Sequence, residues 1–461
     1  VSAQALPQPL SFVSTRHGTA PTPIDDALIA GLAPDGGLYV PERILQLTPP
    51  TTPPATLADT AAWVLAPYFA GSVLRDALPA LCARAYDFDA PLVPLEGPQH
   101  DGRDHVLELF HGPTAAFKDY AARFLAEALG ALRTARGDSD PTTILVATSG
   151  DTGAAVAGAF HRRPGFEVVI LYPEGRVSPR QAHGLECWGD NVRTFRVAGT
   201  FDDCQRMAKA ALADRDLREK RALTSANSIS LGRLLPQVAY YAHTALRHRQ
   251  AHGEALNLIV PTGNLGNAAA AWLARRMGLP IGDIVLATNA NDVLPRYFAG
   301  APYAPQATRA TLANAMDVGA PSNFERLWHW LGDDKSLRAS LRAYAVDDEV
   351  IRKTIAAAPA RHGIVACPHT ACALHVLDIL RTQGNQRAWS VVATAHPAKF
   401  EAIVEPLVGH AVPPPPALAA CLARPAHGEP LRADDEALKA TLLAPRAPAR
   451  AAARRAAVVH D

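Results

Sequence analysis

Short apolar, β-branched runs alternate with glycine-containing turns and alanine-rich stretches along most of this chain. TILVAT (143–148) runs into SGDTG and then AAVAGAFHRR. FEVVILYP (166–173) follows, and LNLIVP (256–261) runs into TGNLGN and AAAAWLARRMG. DIVLAT (283–288) and WSVVAT (389–394) complete the set. Continuous apolar runs of this length suit strands buried on both faces. Strands that alternate with helices predict an α/β fold around a mostly parallel sheet.

With 461 residues, the chain is long enough for about two or three domains. Its net charge of +1 gives no electrostatic case for nucleic acid or an anionic membrane. No run of about 18 apolar residues predicts a membrane span. The opening VSAQALPQPLSFVSTRHG lacks a basic stretch followed by an apolar one, so no secretory signal is expected. The six cysteines are scattered, form no C-x-x-C pair and read as reduced thiols of a cytoplasmic protein. Cys367-Pro-His369-Thr-Ala-Cys372 matches no standard metal spacing, so no metal is expected. Pro-rich 48–57 and 412–420 read as spacers, and the Ala/Arg-rich end as a frayed or helical tail.

Two strand-to-helix turns are suited to anions. In PTGNLGN (261–267), glycines let backbone N–H groups approach a ligand, and the following helix start adds unpaired donors and a positive dipole end. No Walker lysine or dinucleotide glycine pattern is present, which leaves a small phosphate group. Taken alone, the loop is equally an ordinary left-handed turn between strand and helix. In SGDTG (149–153), Ser149, Thr152 and the helix start could hold a carboxylate. Asp151 would repel a phosphate there, and on its own it reads more simply as a helix N-cap.

Only seven of the 45 basic residues are lysine, so each lysine in this arginine-rich chain invites a reason. Lys118, in FHGPTAAFKDY, starts a helical pattern with apolar positions at 121, 124, 125, 128, 129 and 132. A helix N-terminus disfavours a positive charge, and Phe110, Phe117 and Phe124 supply apolar surroundings. Both effects favour a neutral amine, which a Schiff-base nucleophile needs and arginine cannot supply. The plain alternative is a surface lysine paired with Asp119. A Schiff-base lysine together with a phosphate loop is what pyridoxal 5′-phosphate (PLP) requires.

ELFHGPTAAFKDYAARFL, TSGDTGAA, TSANSIS, VPTGNLGN, ATNANDVL, PSNFERL, PHTA and TAHPAKF occur here in one order. In that order, and with the opening FVSTRHGTAP…GLAPDGGLYVPE, the chain resembles the threonine synthase family over about its first 410 residues. The form resembled is the longer bacterial and fungal one, within the tryptophan-synthase-β-like group of PLP enzymes.

The resemblance implies a two-domain PLP enzyme of fold type II with an N-terminal extension. It implies an N-terminal segment (1–98), a large PLP-binding domain with a C-terminal tail (99–137 and 223–461) and a small α/β domain (138–222). Lys118 would carry the cofactor, and Gly263, Asn264, Leu265, Gly266 and Asn267 would cradle its phosphate. Thr370 would face the pyridine nitrogen. Ser149, Asp151 and Thr152 would lie near the amino-acid end of the substrate, with Asn227, Ser228 and Arg233 holding substrate or its phosphate. His111 and Lys399 fall in matching motifs without an assigned role.

The implied reaction converts O-phospho-L-homoserine and water to L-threonine and phosphate, in a monomer or homodimer. Two alternatives are a related phospho-lyase that adds no water and a non-catalytic PLP-binding relative. Ser230, Leu231, Leu265 and Cys367 depart from the family's usual residues and bear on substrate preference.

Overall fold

The computed structural model describes residues 9–444. The Ala/Arg-rich tail expected to be frayed or helical, residues 445–461, lies outside the described residues.

Two parallel sheets organise the chain. The larger has the order β11 (Arg342–Ala345), β10 (Ile281–Thr288), β9 (Leu256–Pro261), β12 (Ser390–Ala393), β4 (His105–Glu108) and β3 (Leu92–Pro94). Only the β3–β4 pair in it is antiparallel. The smaller is parallel throughout: β13 (Gly428–Arg432), β7 (Val192–Ala198), β6 (Phe166–Pro173), β5 (Thr142–Ala147) and β8 (Ala222–Ser225). A two-stranded antiparallel pair, β1 (Phe12–Ser14) and β2 (Tyr39–Pro41), precedes both.

The apolar runs became central strands because both faces are covered by helices. All four residues of β12 are buried, as are five of six in β5. The runs at 166–173 and 256–261 match their strands end to end. The helix Lys118–Arg136 buries all six apolar positions of its expected stripe and ends at Gly137, which takes the left-handed conformation.

Two strands lie across the boundaries expected from sequence. β3 precedes residue 99 yet extends the larger sheet, because its residues pair with β4. β13 follows residue 223 yet extends the smaller sheet beside β7, and the helix Asp435–Leu443 packs on the helix Phe201–Ala213 beneath it. The C-terminal segment thus returns to the smaller sheet. The N-terminal helices Leu57–Leu65 and Leu78–Ala85 share one core with the helices Lys118–Arg136 and Val238–His252.

Candidate active site

Ligand sites in open parallel sheets lie beyond the carboxyl ends of the strands. A cavity of about 1170 Å³, including its open mouth, fills that position here between the two sheets. Lys118, Ser149, Asp151, Thr152, Asn227, Ser228, Arg233 and the whole run Gly263–Asn267 line it. They come from the segments that follow β4, β5, β8 and β9.

Lys118 is the first residue of its helix and is fixed by the segment before it. Phe117 N donates to Thr394 O at 2.9 Å, and His396 N donates to Ala115 O at 3.0 Å, so the loop after β12 holds the lysine turn. Ala115 takes φ +53°, a left-handed conformation costly for a residue with a Cβ. Lys118 opens onto the cavity while lying deep among protein atoms. Burial lowers its pKa to about 8, with the Arg233 and Lys399 charges adding to burial and Asp151 opposing it. The Asp119 pairing is not formed: Asp119 accepts from Thr114 N at 2.9 Å and Thr114 Oγ1 at 2.7 Å.

The Gly263–Asn267 loop has the features of an anion cradle. Among the described residues, no acceptor receives the N–H groups of Gly263, Asn264 or Leu265. Leu265, at φ +62°, turns the chain into the helix Gly266–Arg276, whose first N–H groups have no intrahelical acceptor. A Cβ on Gly263 would lie 2.6 Å from Met316 Cα, so only glycine lets these backbones meet. Asn267 Oδ1 accepts from Tyr240 and Tyr241 hydroxyls at 2.6 and 2.8 Å, leaving its buried Nδ2 without a partner among the described residues. Free N–H donors at one end and a lysine of lowered pKa at the other fit a phosphorylated aldehyde.

The smaller sheet supplies the opposite wall. Asp151 is the first residue of its helix, not its cap; Gly150 is the cap, at φ +135°. The carboxylate is paired with Lys399, Oδ1 to Nζ 2.7 Å. Burial opposes its ionisation, but the Lys399 and Lys118 charges hold it well below the usual carboxylate range. Asn227 ties the ends of β5 and β8 together, donating to Ala147 O at 2.6 Å. Arg233 is buried, its pKa lowered to about 10 by burial, and its Nε has no partner among the described residues.

Thr370, expected to face the pyridine nitrogen, is the third residue of the helix Pro368–Thr382. It is buried and does not line the cavity; its Oγ1 lies 3.3 Å from Cys367 Sγ, which also accepts Thr370 N. Cys367 is the N-cap of that helix. His369 and Thr394 line the cavity instead. Burial lowers His369 to about 4, so its ring is neutral near pH 7.

Reasoning from sequence missed Lys209, which lines the cavity, and gave Lys399 no role. Lysine scarcity, which singled out Lys118, would have flagged both. It also missed Arg326, fully buried, which donates to Asn323 Oδ1 and Ile229 O, both at 2.6 Å, behind the cavity wall. Three of the four departures from the family pattern, Ser230, Leu231 and Cys367, do not line the cavity; Leu265 does. No group of three or more His, Cys, Asp or Glu among the described residues is arranged to hold a metal ion. No helix among them is long and apolar enough to cross a membrane.

Three family models match in succession. "Threonine synthase N terminus" matches residues 11–86, "Pyridoxal-phosphate dependent enzyme" residues 86–397 and "Threonine synthase, C-terminal" residues 370–442. The chain belongs to the threonine synthase family. It is 38% identical to the threonine synthase of Haemophilus influenzae over 411 residues, 89% of this chain and 94% of that one. It is 37% identical to that of Escherichia coli over 421 residues, 90% and 95% of the two chains.

Solved threonine synthase structures agree. That of E. coli matches with a TM-score of 0.84 at 35% identity, covering 94% of this chain and 99% of that one. A PLP-bound threonine synthase from Brucella melitensis matches with a TM-score of 0.83 at 33% identity, covering 94% and 98%. The fold is therefore that of a two-domain PLP-dependent lyase with the family's N-terminal domain, and PLP is its cofactor.

Proposed function

We propose that the protein converts O-phospho-L-homoserine and water to L-threonine and inorganic phosphate. The observation that carries this reading is Lys118, of lowered pKa, in one cavity with a free-donor loop and the buried cation Arg233. When bound, PLP supplies an electron sink for bonds broken at the substrate α carbon.

Lys118 would attach the cofactor, and the N–H groups of Gly263–Asn267 would hold its phosphate. Lys118 would also be the base that takes the Cα proton. Ser149 and Thr152, at a helix start, would orient the substrate carboxylate. Arg233, whose Nη1 is held by Ala226 O, would offer its remaining donors, Nε among them, to the leaving phosphate, whose charge grows as the Cγ–O bond breaks. The walls contributed by the two sheets would exclude bulk water until Cβ is ready for it. A cytoplasmic location belongs to the same proposal, supported by six cysteines that are all buried and unpaired.

The altered residues Ser230 and Leu231 do not line the cavity, although Ser228, Ile229 and Arg233 beside them do, which favours threonine formation over phosphate elimination alone. The test is a phosphate-release assay on O-phospho-L-homoserine with the product amino acid identified. L-threonine formed one-to-one with phosphate supports the reading. Phosphate with 2-oxobutyrate, or no phosphate, contradicts it.

A further inference from the structure

One buried ion pair joins the two sheets at the cavity wall. Asp151 opens the helix that follows β5, and Lys399 lies in the 3-10 turn Pro397–Phe400 that follows β12. Their charged atoms are 2.7 Å apart, and both side chains are 4% exposed. Lys399 also donates to Thr114 O at 2.8 Å, and Gln181 Nε2 donates to Asp151 Oδ1 at 3.2 Å. The turn is anchored from the smaller sheet: Ser178 Oγ donates to Lys399 O at 2.7 Å and Arg180 Nη1 to Ala398 O at 2.8 Å.

Two lysines compete for this carboxylate. Asp151 and Lys118 line the same cavity, and among the described residues Asp151 is the group that favours the charged form of Lys118. The other groups near it are Arg233, Lys399 and the neutral His369, while Asp119 is held by Thr114. Lys118 makes no ion pair among the described residues, whereas Lys399 does. A buried carboxylate without a partner captures the nearest cation, because leaving its charge unpaired is costly. An ammonium captured in this way is not a nucleophile.

We propose that Lys399 is a positioning residue: by engaging Asp151 it keeps that carboxylate from pairing with Lys118, so that Lys118 gives up its proton and attaches the cofactor near neutral pH. The proposal rests on Lys118 as the point of attachment.

The test uses the full-length chain, freed of cofactor and mixed with PLP over a range of pH. Attachment at Lys118 is trapped by borohydride and timed by peptide mass. Lys399→Met should move the half-maximal pH upward by about one unit and slow attachment about tenfold at neutral pH. Lys399→Arg should keep the wild-type profile, and Asp151→Asn should move it downward. The double variant Asp151→Asn/Lys399→Met should return towards wild type, which a merely structural role for Lys399 would not produce.

An unchanged midpoint in Lys399→Met, or a double variant as slow as the single one, overturns the proposal. Should Lys399→Met fail to fold, Asp151→Asn without a downward shift overturns it as well. A wild-type chain that attaches nothing at Lys118 contradicts the underlying reading, and so is distinguishable from failure of the Lys399 role alone.

Discussion

The Asn264 side chain donates to Ser228 Oγ at 2.6 Å, joining the loop after β9 of the larger sheet to the loop after β8 of the smaller. Asn264 Oδ1 accepts Ser322 N, and Asn264 O accepts Asn323 Nδ2 at 2.8 Å. One residue therefore fixes the free-donor loop from two sides. Asn264→Ala should weaken PLP binding by about 1–3 kcal/mol, roughly 5- to 150-fold in Kd, because it strands the part-buried Ser322 N–H and loosens the cradle. Titration of the apo-protein with PLP, followed by absorbance, measures this.

Gly263→Ala should be more damaging. Its Cβ would approach Met316 Cα at 2.6 Å and Met316 O at 2.7 Å, and both are backbone atoms. Overpacking of this kind costs about 1–3 kcal/mol. A lowered Tm together with substoichiometric PLP after purification is the expected result.

Attachment of PLP should depend on pH through Lys118. Burial places its pKa at about 8, below the ordinary lysine value. Below about 8 the neutral fraction falls tenfold per pH unit, so the attachment rate should rise with pH and level off above about 8. The same shift has a sign for stability. An unfolded lysine stays charged to higher pH, so falling pH costs the cofactor-free protein stability as it passes through the Lys118 pKa, and rising pH restores it. Stopped-flow rates and denaturant titrations at matched pH check both trends.

Arg326 should prove structural. Its guanidinium is fully buried without an acidic ion-pair partner within reach among the described residues, and it donates to Tyr39 O, Ser228 O, Asn323 Oδ1 and Ile229 O. Arg326→Met strands these acceptors and should cost about 3 kcal/mol or more. Arg326→Lys should not restore stability, since an ammonium cannot reproduce the planar fork. Denaturant midpoints decide between these outcomes.

These relationships mark what sequence could disclose. The strands at 166–173 and 256–261 were legible because burial on both faces requires a continuous apolar run. Lys118 was legible because a lysine-poor chain had placed one at a helix start. The pairing of β13 with β7 was not, since it joins residues more than 230 positions apart and β13, an edge strand, carries a weak pattern, GEPLR. Nor was the contact of Thr370 Oγ1 with Cys367, the N-cap of its helix. The partnership of Lys399 with Asp151 escaped for the same reason: each has a local motif, but their 2.7 Å contact exists only once the two sheets face each other.

The central claim is that Lys118 carries the cofactor at the junction of these loops. Borohydride reduction of the purified holoenzyme, followed by peptide mass spectrometry, tests it directly. A pyridoxyl mass on the peptide containing Lys118, and none on those containing Lys209 or Lys399, is the predicted result. A label on Lys209 or Lys399, or on no lysine, would contradict the account.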